Sequence, residues 1–158
     1  MNVLRKILIS STLFILSAFF SLALAQQNKD NTPYLAMKKT LCFGTCPEYY
    51  IKITKKGEVT YKGQRFMPKI GSYTKTLSKE KTDSLFTFAK KAKLHKKLDI
   101  YDRKVTDMPT TFLEYFDGKK TKKITDRCAA PLPIPTLEGM IHVIALDTLN
   151  WTPIPTGK

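Results

Sequence analysis

Two cysteines four positions apart are the residues of this chain best placed to do chemistry. The stretch from Leu41 to Tyr50 has the sequence LCFGTCPEYY, with Gly44 midway between Cys42 and Cys46. In an oxidising compartment this spacing predicts a small loop closed by a disulfide, provided that Gly44 lets the backbone turn tightly. The third cysteine, Cys128, is then a free thiol, and we expect it to be buried.

The same pair of cysteines has two other interpretations. A disulfide from either one to Cys128 would close a loop of more than 80 residues. The chain-entropy model assigns that long loop about 4.5 kcal/mol and the short loop about 2 kcal/mol, but closeness along the chain favours the short one. Soft thiolates also bind Cu(I), and thioredoxin-like copper-delivery proteins combine this spacing with a distant histidine, for which His95 and His142 are the candidates. That fold needs a helix directly after the motif, where the sequence predicts a strand, so thiol redox chemistry or Cu(I) binding remains the alternative function.

Other signals of catalysis are weak. Ser72 and Ser78 each begin a Ser-x-x-Lys match, but the companion motifs of acyl-transfer enzymes are absent. Asp99, Asp102 and Asp107 lack the ligand spacing of a calcium loop, so we expect them to cap turns in a solvated segment. The sequence therefore predicts no catalytic residue, no metal site and no cofactor, and we expect the protein not to be an enzyme.

The N-terminus has the features of a secretory signal peptide. Basic Arg5-Lys6 precedes an apolar stretch at 7–24, and an Ala-Leu-Ala sequence ends at Ala25. We predict a signal peptide at 1–25, export to the periplasm or the extracellular space, and no integral membrane segment after cleavage. Cleavage would remove two basic residues and no acid, which lowers the formal charge from +14 to +12.

The positive charge of the exported part comes almost entirely from lysine. After the signal peptide the chain contains only three arginines, Arg65, Arg103 and Arg127. Base and phosphate recognition favours arginine, so we predict no nucleic-acid partner. The scattered lysines favour an ordinary soluble surface, with attraction to anionic head groups or acidic glycans as the alternative. The partner is therefore expected to be an unknown envelope protein or an anionic surface.

Turn residues divide the exported chain into strands. After a flexible leader at 26–33, Gly57 marks one hairpin turn and Asp117-Gly118 a second, within a single domain at 34–152 followed by a tail at 153–158. The strands are predicted at 34–41, 49–54, 59–62, 72–77, 110–116 and 120–125. Successive hairpins predict an α+β fold, an antiparallel sheet of two hairpins plus flanking strands, with two helices packed on one face.

Helical periodicity occurs in two segments. We predict helices at Ser78–Lys93, with Ser78 as N-cap, and at Thr136–Leu149, with Thr136 as cap after three prolines that exclude regular structure. The stretch from Leu98 to Pro109 is predicted to be irregular, and Trp151 to be a packing anchor. The helix residues predicted in the core are Leu85, Phe88, Ile141 and Ile144.

The cysteine segment and its surroundings resemble a known family. Cys-Phe-Gly-Thr-Cys-Pro-x-Tyr from Cys42 onward, then an alternating strand, a Lys-Gly turn and Val-x-Tyr-x-Gly, resembles the bacterial domain of unknown function 6438. Asp107-Met108-Pro109 and Ala130-Pro131 are similar to weaker landmarks of that family, and the resemblance runs from about Leu35 to Trp151. It implies an exported bacterial domain with a β-rich start, and it implies no activity.

These observations together predict a non-catalytic binding module of the cell envelope. A disulfide-closed loop would hold an aromatic side chain, Phe43, at its tip. Rigid loops of this kind lose little entropy when they bind. In the alternative, Phe43 folds back and covers the end of the sheet. The predicted binding loop consists of Phe43, Gly44, Thr45, Pro47 and Tyr49.

Overall fold

Eight strands, two α-helices and a short 3-10 helix at Leu94–Lys96 form in residues 31–155, the part of the chain that the computed structural model describes. The strands are β1 Tyr34–Lys39, β2 Tyr49–Thr54, β3 Glu58–Gly63, β4 Gly71–Thr76, β5 Ile100–Asp102, β6 Thr111–Phe116, β7 Thr121–Arg127 and β8 Thr152–Pro153; the helices are α1 Lys79–Lys91 and α2 Ile134–Leu146. The predicted α+β class is confirmed. The predicted signal peptide at 1–25 and the last residues of the predicted tail lie outside the described residues.

The strands form one mixed sheet in the order β5-β7-β6-β1-β2-β3-β4-β8. Both predicted hairpins are present, as β2–β3 and β6–β7, and β1 lies between them in the centre. The prediction that 98–109 is irregular is wrong in one part, because β5 pairs there with β7 in parallel. This strand has only three residues and no hairpin partner next to it in the chain, so neither alternation nor a turn signal indicates it.

Both helices pack on one face of the sheet. Tyr49, Ile51 and Ile53 of β2 are fully buried beneath them, as the alternating pattern predicts. Among the helix residues predicted in the core, Leu85 and Ile141 are buried, whereas Phe88 and Ile144 are only partly buried. Phe86 takes the place expected for Phe88. The two phenylalanines flank the line through Leu85 and Ala89 on opposite sides, so helical spacing alone could not choose between them.

The helix ends differ in how well the sequence predicts them. Ser78 caps α1 as predicted, and its hydroxyl accepts a hydrogen bond from the Lys81 amide at 3.3 Å. The prediction that α2 starts after a cap at Thr136 is wrong, because the helix begins at Ile134 and includes Pro135 in its first turn. Proline is tolerated there, since the first amides of a helix have no partner within it.

Trp151 is an anchor for the end of the domain, as predicted. Its ring packs against Tyr61 at 5.0 Å between centroids, and its indole nitrogen donates to the Asp147 carbonyl at 2.5 Å. The chain after it adds β8 to the edge of β4 through Tyr73 and Thr74. No helix within residues 31–155 is long and apolar enough to cross a membrane.

Candidate functional site at the loop end of the sheet

The loop between β1 and β2 carries the predicted disulfide. Cys42 and Cys46 are joined, with their Cα atoms 5.5 Å apart, and the Gly44 amide donates to the Cys42 sulfur at 3.3 Å. Gly44 is not in the left-handed region, and a Cβ atom there would meet the Cys42 sulfur at an ordinary 3.8 Å. The expectation that the tight turn requires glycine is therefore wrong. We call residues 40–48 the stapled loop.

Phe43 projects from the stapled loop into solvent. Its side chain is 91% exposed, more than any other large apolar residue in the described part of the chain. The alternative in which Phe43 folds back over the end of the sheet is thus wrong. Thr45 is exposed beside it and Pro47 is partly buried, whereas Tyr49 is fully buried in β2. The prediction that Tyr49 belongs to the binding surface is wrong, since strand alternation turns its ring toward the helices.

Hydrogen bonds tie the stapled loop to its neighbours. The Glu48 amide donates to the Arg65 carbonyl at 2.9 Å, and the Glu48 carbonyl accepts from Gln64 at the same distance. On the other side, the Thr40 amide donates to the Thr110 carbonyl at 3.0 Å, and the Thr110 amide returns a bond to the Thr40 hydroxyl. The base of the loop is therefore fixed both by the staple and by backbone bonds to loops on either side.

Four connections meet at this end of the sheet, which we call the loop end. They are the stapled loop, residues 64–70 between β3 and β4, residues 103–110 between β5 and β6, and residues 128–133 between β7 and α2. The strand directions place them together, because β1, β3, β5 and β7 all end there. Cys128 lies in the last of these connections and is free and exposed. The expectation of a buried thiol is therefore wrong.

A row of polar side chains crosses the sheet directly beneath the loop end. Asp126, Thr111, Lys39 and Tyr49 are successive cross-strand partners on β7, β6, β1 and β2. Their positions share the face occupied by Leu35, Met37 and the other core residues, because strand side chains alternate. The apolar core thus ends in a polar layer at the base of the loops.

Helix α2 adds two titratable groups to this polar layer. The Tyr49 hydroxyl and His142 Nδ1 are 2.7 Å apart in a hydrogen bond, and the two rings stack at 5.5 Å between centroids. Burial and the positive charge of Lys39 lower the pKa of His142. Burial and the negative charge of Glu138 raise the pKa of Tyr49. The pair therefore stays neutral, as a hydrogen-bonded support for the start of β2.

Glu138 lies one helical turn before His142 and is the least satisfied of the described polar side chains. It is 9% exposed, and its Oε1 atom is buried without a hydrogen-bond partner among the described residues. Burial and the charge of Asp126 raise the pKa of Glu138 from 4.5 to about 7, against the opposing effects of Lys39 and Thr111. Glu138 consequently gains and loses a proton near neutral pH. We call Lys39, Tyr49, Thr111, Asp126, Glu138 and His142 the polar layer.

The other residues that the sequence singled out have structural partners. His95 lies at the opposite end of the sheet, 2.9 Å from Asp117 and against the Tyr115 ring. Asp102 accepts from the Lys104 amide and stabilises a turn as expected, whereas Asp99 instead forms an ion pair with Lys122 of β7. No three His, Cys, Asp or Glu side chains in residues 31–155 group as a metal site. The segment after the cysteine motif is strand β2, not the helix of a thioredoxin-like site.

A second surface is an apolar groove between α1 and α2, with a volume of about 720 Å³. Leu77, Leu85, Met140, Ile144 and Leu149 line it. One end is closed by an ion pair in which Lys75 Nζ lies 2.8 Å from Asp147 and 4.2 Å from the centre of the Trp151 ring. Two of the charged residues that line this groove, Lys75 and Asp147, thus already pair with one another, and Glu80 and Lys81 line it as well.

Sequence reasoning identified the stapled loop and missed the polar layer. The signal was present in β1, where Lys39 continues the alternation of Leu35 and Met37, and in α2, where Glu138 shares the buried face of Leu137 and Ile141. A charged residue in register with core residues indicates a buried polar site. Its partners, however, come from strands far apart in the chain, and the sequence does not give their pairing.

Comparison with known proteins identifies a family for this chain but assigns it no activity. No curated protein matches the chain. One family model, described as a domain of unknown function (DUF6438), matches residues 33–145, which include the stapled loop, the polar layer, all of α1 and α2 up to Ala145.

Proposed function

We propose that this chain, which belongs to the DUF6438 family, is an exported binding module of the cell envelope. The family description names no activity, so the proposal rests on the surface of the chain itself. The binding surface in this proposal is the loop end, with the stapled loop at its centre. The module is not catalytic, and its partner is an envelope component.

The exposure of Phe43 carries this proposal. An aromatic side chain 91% exposed to water on a soluble domain gains free energy when a partner covers it. The disulfide, three backbone hydrogen bonds of Thr40 and Glu48, and the bond from the Thr110 amide to the Thr40 hydroxyl already fix the loop, so binding costs little additional entropy. The stapled loop thus presents an aromatic side chain that the core of the domain does not use.

Export is supported by the chemistry of the same loop. A disulfide persists in oxidising compartments, and the apolar stretch at 7–24 followed by the Ala-Leu-Ala site is the signal that would deliver the chain there. Intact-mass measurement of protein from the native host tests this step. The expected species begins at Gln26, and a mature species that retains Met1 would contradict export by cleavage.

Retention by envelope fractions tests the binding role. The oxidised protein from Gln26 to Lys158 is mixed with washed envelopes from the native host, and the bound fraction is measured for the parent chain and for Phe43→Ala. Leu98→Ala is the matched control, because Leu98 is 67% exposed and lies outside the connections of the loop end, just before the edge strand β5. We expect Phe43→Ala to reduce retention about tenfold and Leu98→Ala to leave it unchanged. Equal retention of all three proteins would leave the stapled loop without a binding role.

A further inference from the structure

The three arginines within residues 31–155 gather at the loop end. Arg65 and Arg103 lie in two of its connections, and Arg127 is the last residue of β7. Arg65 and Arg103 are exposed, whereas Arg127 lies 3.5 Å from Asp102 in an ion pair. A guanidinium group binds phosphate through two parallel hydrogen bonds, which an ammonium group cannot do. The loop end therefore differs from the rest of the positive surface in its affinity for phosphate groups.

Exposed apolar side chains lie close to Arg65 and Arg103 on the same two connections. Every connection of the loop end contributes at least one of them, and they are between 42% and 91% exposed: Phe43, Phe66, Ile70, Val105, Met108 and Leu132. Phe66 directly follows Arg65, and Val105 follows Arg103 and Lys104. Apolar side chains beside basic ones are typical of surfaces that lie in the interfacial region of a bilayer.

The shape of the loop end fits a broad, flat partner. Its connections project from the ends of seven neighbouring strands, β5 to β4, which at a spacing of about 4.8 Å span about 29 Å. The most exposed side chains, Phe43 and Leu132, come from separate connections on this edge. The apolar groove between α1 and α2 is lined by none of these residues. A row of projecting side chains this wide can enter a lipid surface together, whereas a peptide would need a groove.

We propose that the loop end docks on an anionic phospholipid surface, which makes the envelope component of the proposed function a membrane. Arg65 and Arg103 bind lipid phosphates, with Lys69 and Lys104 adding attraction to the anionic surface. Phe43 and its apolar neighbours enter the region between head groups and acyl chains. The stapled loop and its hydrogen bonds keep Phe43 extended, so insertion needs no rearrangement of the domain. This inference rests on the proposed function and assigns its partner.

Vesicle binding tests the assignment. The chain from Gln26 to Lys158 contains the whole described domain and lacks the apolar stretch at 7–24, which would bind bilayers by itself. Its flotation is measured with vesicles of phosphatidylcholine alone and with vesicles of two parts phosphatidylcholine to one part phosphatidylglycerol. We expect binding to the anionic vesicles only, with an affinity that falls as salt is raised.

Paired variants distinguish the contribution of the loop-end arginines to binding from that of the net positive charge of the protein. Arg65→Gln with Arg103→Gln should weaken binding about thirtyfold, since each basic residue near an anionic surface contributes about fivefold. Lys55→Gln with Lys56→Gln removes the same charge from an exposed turn at the opposite end and should change binding less than twofold. If both double variants lose binding equally, net charge alone attracts the protein and the assignment is wrong. Thermal unfolding of each variant verifies that it is folded.

The apolar half of the surface has its own matched pair. Ile70→Ala at the loop end should weaken binding several-fold, whereas Ile100→Ala should not, although the two side chains are 58% and 65% exposed. Phe43→Trp provides a reporter, whose emission should be quenched by brominated acyl chains well beyond the quenching of the parent Trp151. Absence of additional quenching would place Phe43 outside the bilayer and overturn insertion.

The outcomes also separate this inference from the proposed function. Envelope retention that depends on Phe43 without any binding to lipid vesicles would leave the binding module intact and assign its partner to protein, so the membrane inference would fail alone. Retention that is independent of Phe43 would overturn the proposed function itself. Binding to vesicles and to protease-stripped envelopes with the same dependence on Phe43, Arg65 and Arg103 would support both.

Discussion

The buried carboxyl group of Glu138 should make the stability of the domain depend on pH in a way that one substitution removes. In the folded protein its pKa is about 7, and in an unfolded chain it is about 4.5. Between these values the folded state holds a proton that the unfolded state has lost. The unfolding free energy therefore falls as pH rises from about 4.5 to about 7 and is flat in this respect above 7.

The size of the effect follows from the same interval. At about 1.36 kcal/mol for each pH unit, the unfolding free energy falls by about 3 kcal/mol between the unfolded and folded pKa values of Glu138. This is an upper value, because Glu138 keeps some contact with water. Asp126 on β7 adds to it, whereas Lys39 on β1 opposes it. His142 on the same helix acts in the other direction, because its lowered pKa makes stability rise with pH toward 6.5.

Glu138→Gln isolates this contribution. The variant keeps the shape of the side chain and cannot ionise, and His142 titrates in both proteins. Urea unfolding of oxidised protein at pH 5, 6, 7 and 8 should give a difference in unfolding free energy that moves in favour of the variant by about 2–3 kcal/mol over this range. Parallel profiles for the two proteins would refute the argument, since they would mean that Glu138 titrates as it does in water.

Three further predictions concern the packing of the domain. Reducing the disulfide of the stapled loop should lower the unfolding free energy by about 2 kcal/mol, measured by urea unfolding with and without reductant; an unchanged value would mean that the staple does not restrict the unfolded chain. Phe86→Ala should lower the unfolding free energy by about 3–5 kcal/mol, and Phe88→Ala by distinctly less. If thermal unfolding gives the reverse order, Phe88 and not Phe86 is the core residue. Gly63→Ala should lower the unfolding free energy by at least about 1–3 kcal/mol, the usual cost of overpacking, because the new Cβ atom would lie 1.9 Å from the Lys69 carbonyl oxygen. Gly44→Ala should change the unfolding free energy by no more than about 0.5 kcal/mol. Equal effects of the two glycine variants would contradict the contact at Gly63.

Local signals predicted most of the fold, and long-range pairing accounts for what they missed. Alternation along β2, the turn at Gly57 with its positive φ of 89° and the cap at Ser78 all depend on residues close together in sequence. The partnership of Lys39 with Thr111 depends on register between strands more than 70 residues apart, which no local pattern encodes. The exposure of Phe43 depends on loop geometry in the same way, so the sequence left its two orientations open.

The position of β1 in the middle of the sheet determines when the domain can be completed. Leu35 on β1 pairs with Ile53 on β2, a near neighbour in the chain, but also with Tyr115 on β6. The four-stranded meander from β1 to β4 can therefore assemble early through local contacts, while the other edge of β1 remains unpaired until β6 arrives 80 residues later. During this interval, nascent or refolding chains expose the unpaired edge of an apolar strand. Chains in this partly folded state are the most prone to self-association. We therefore expect the docking of the β6–β7 hairpin to be the slowest step of assembly, and a chaperone or a low protein concentration to protect the chain until then.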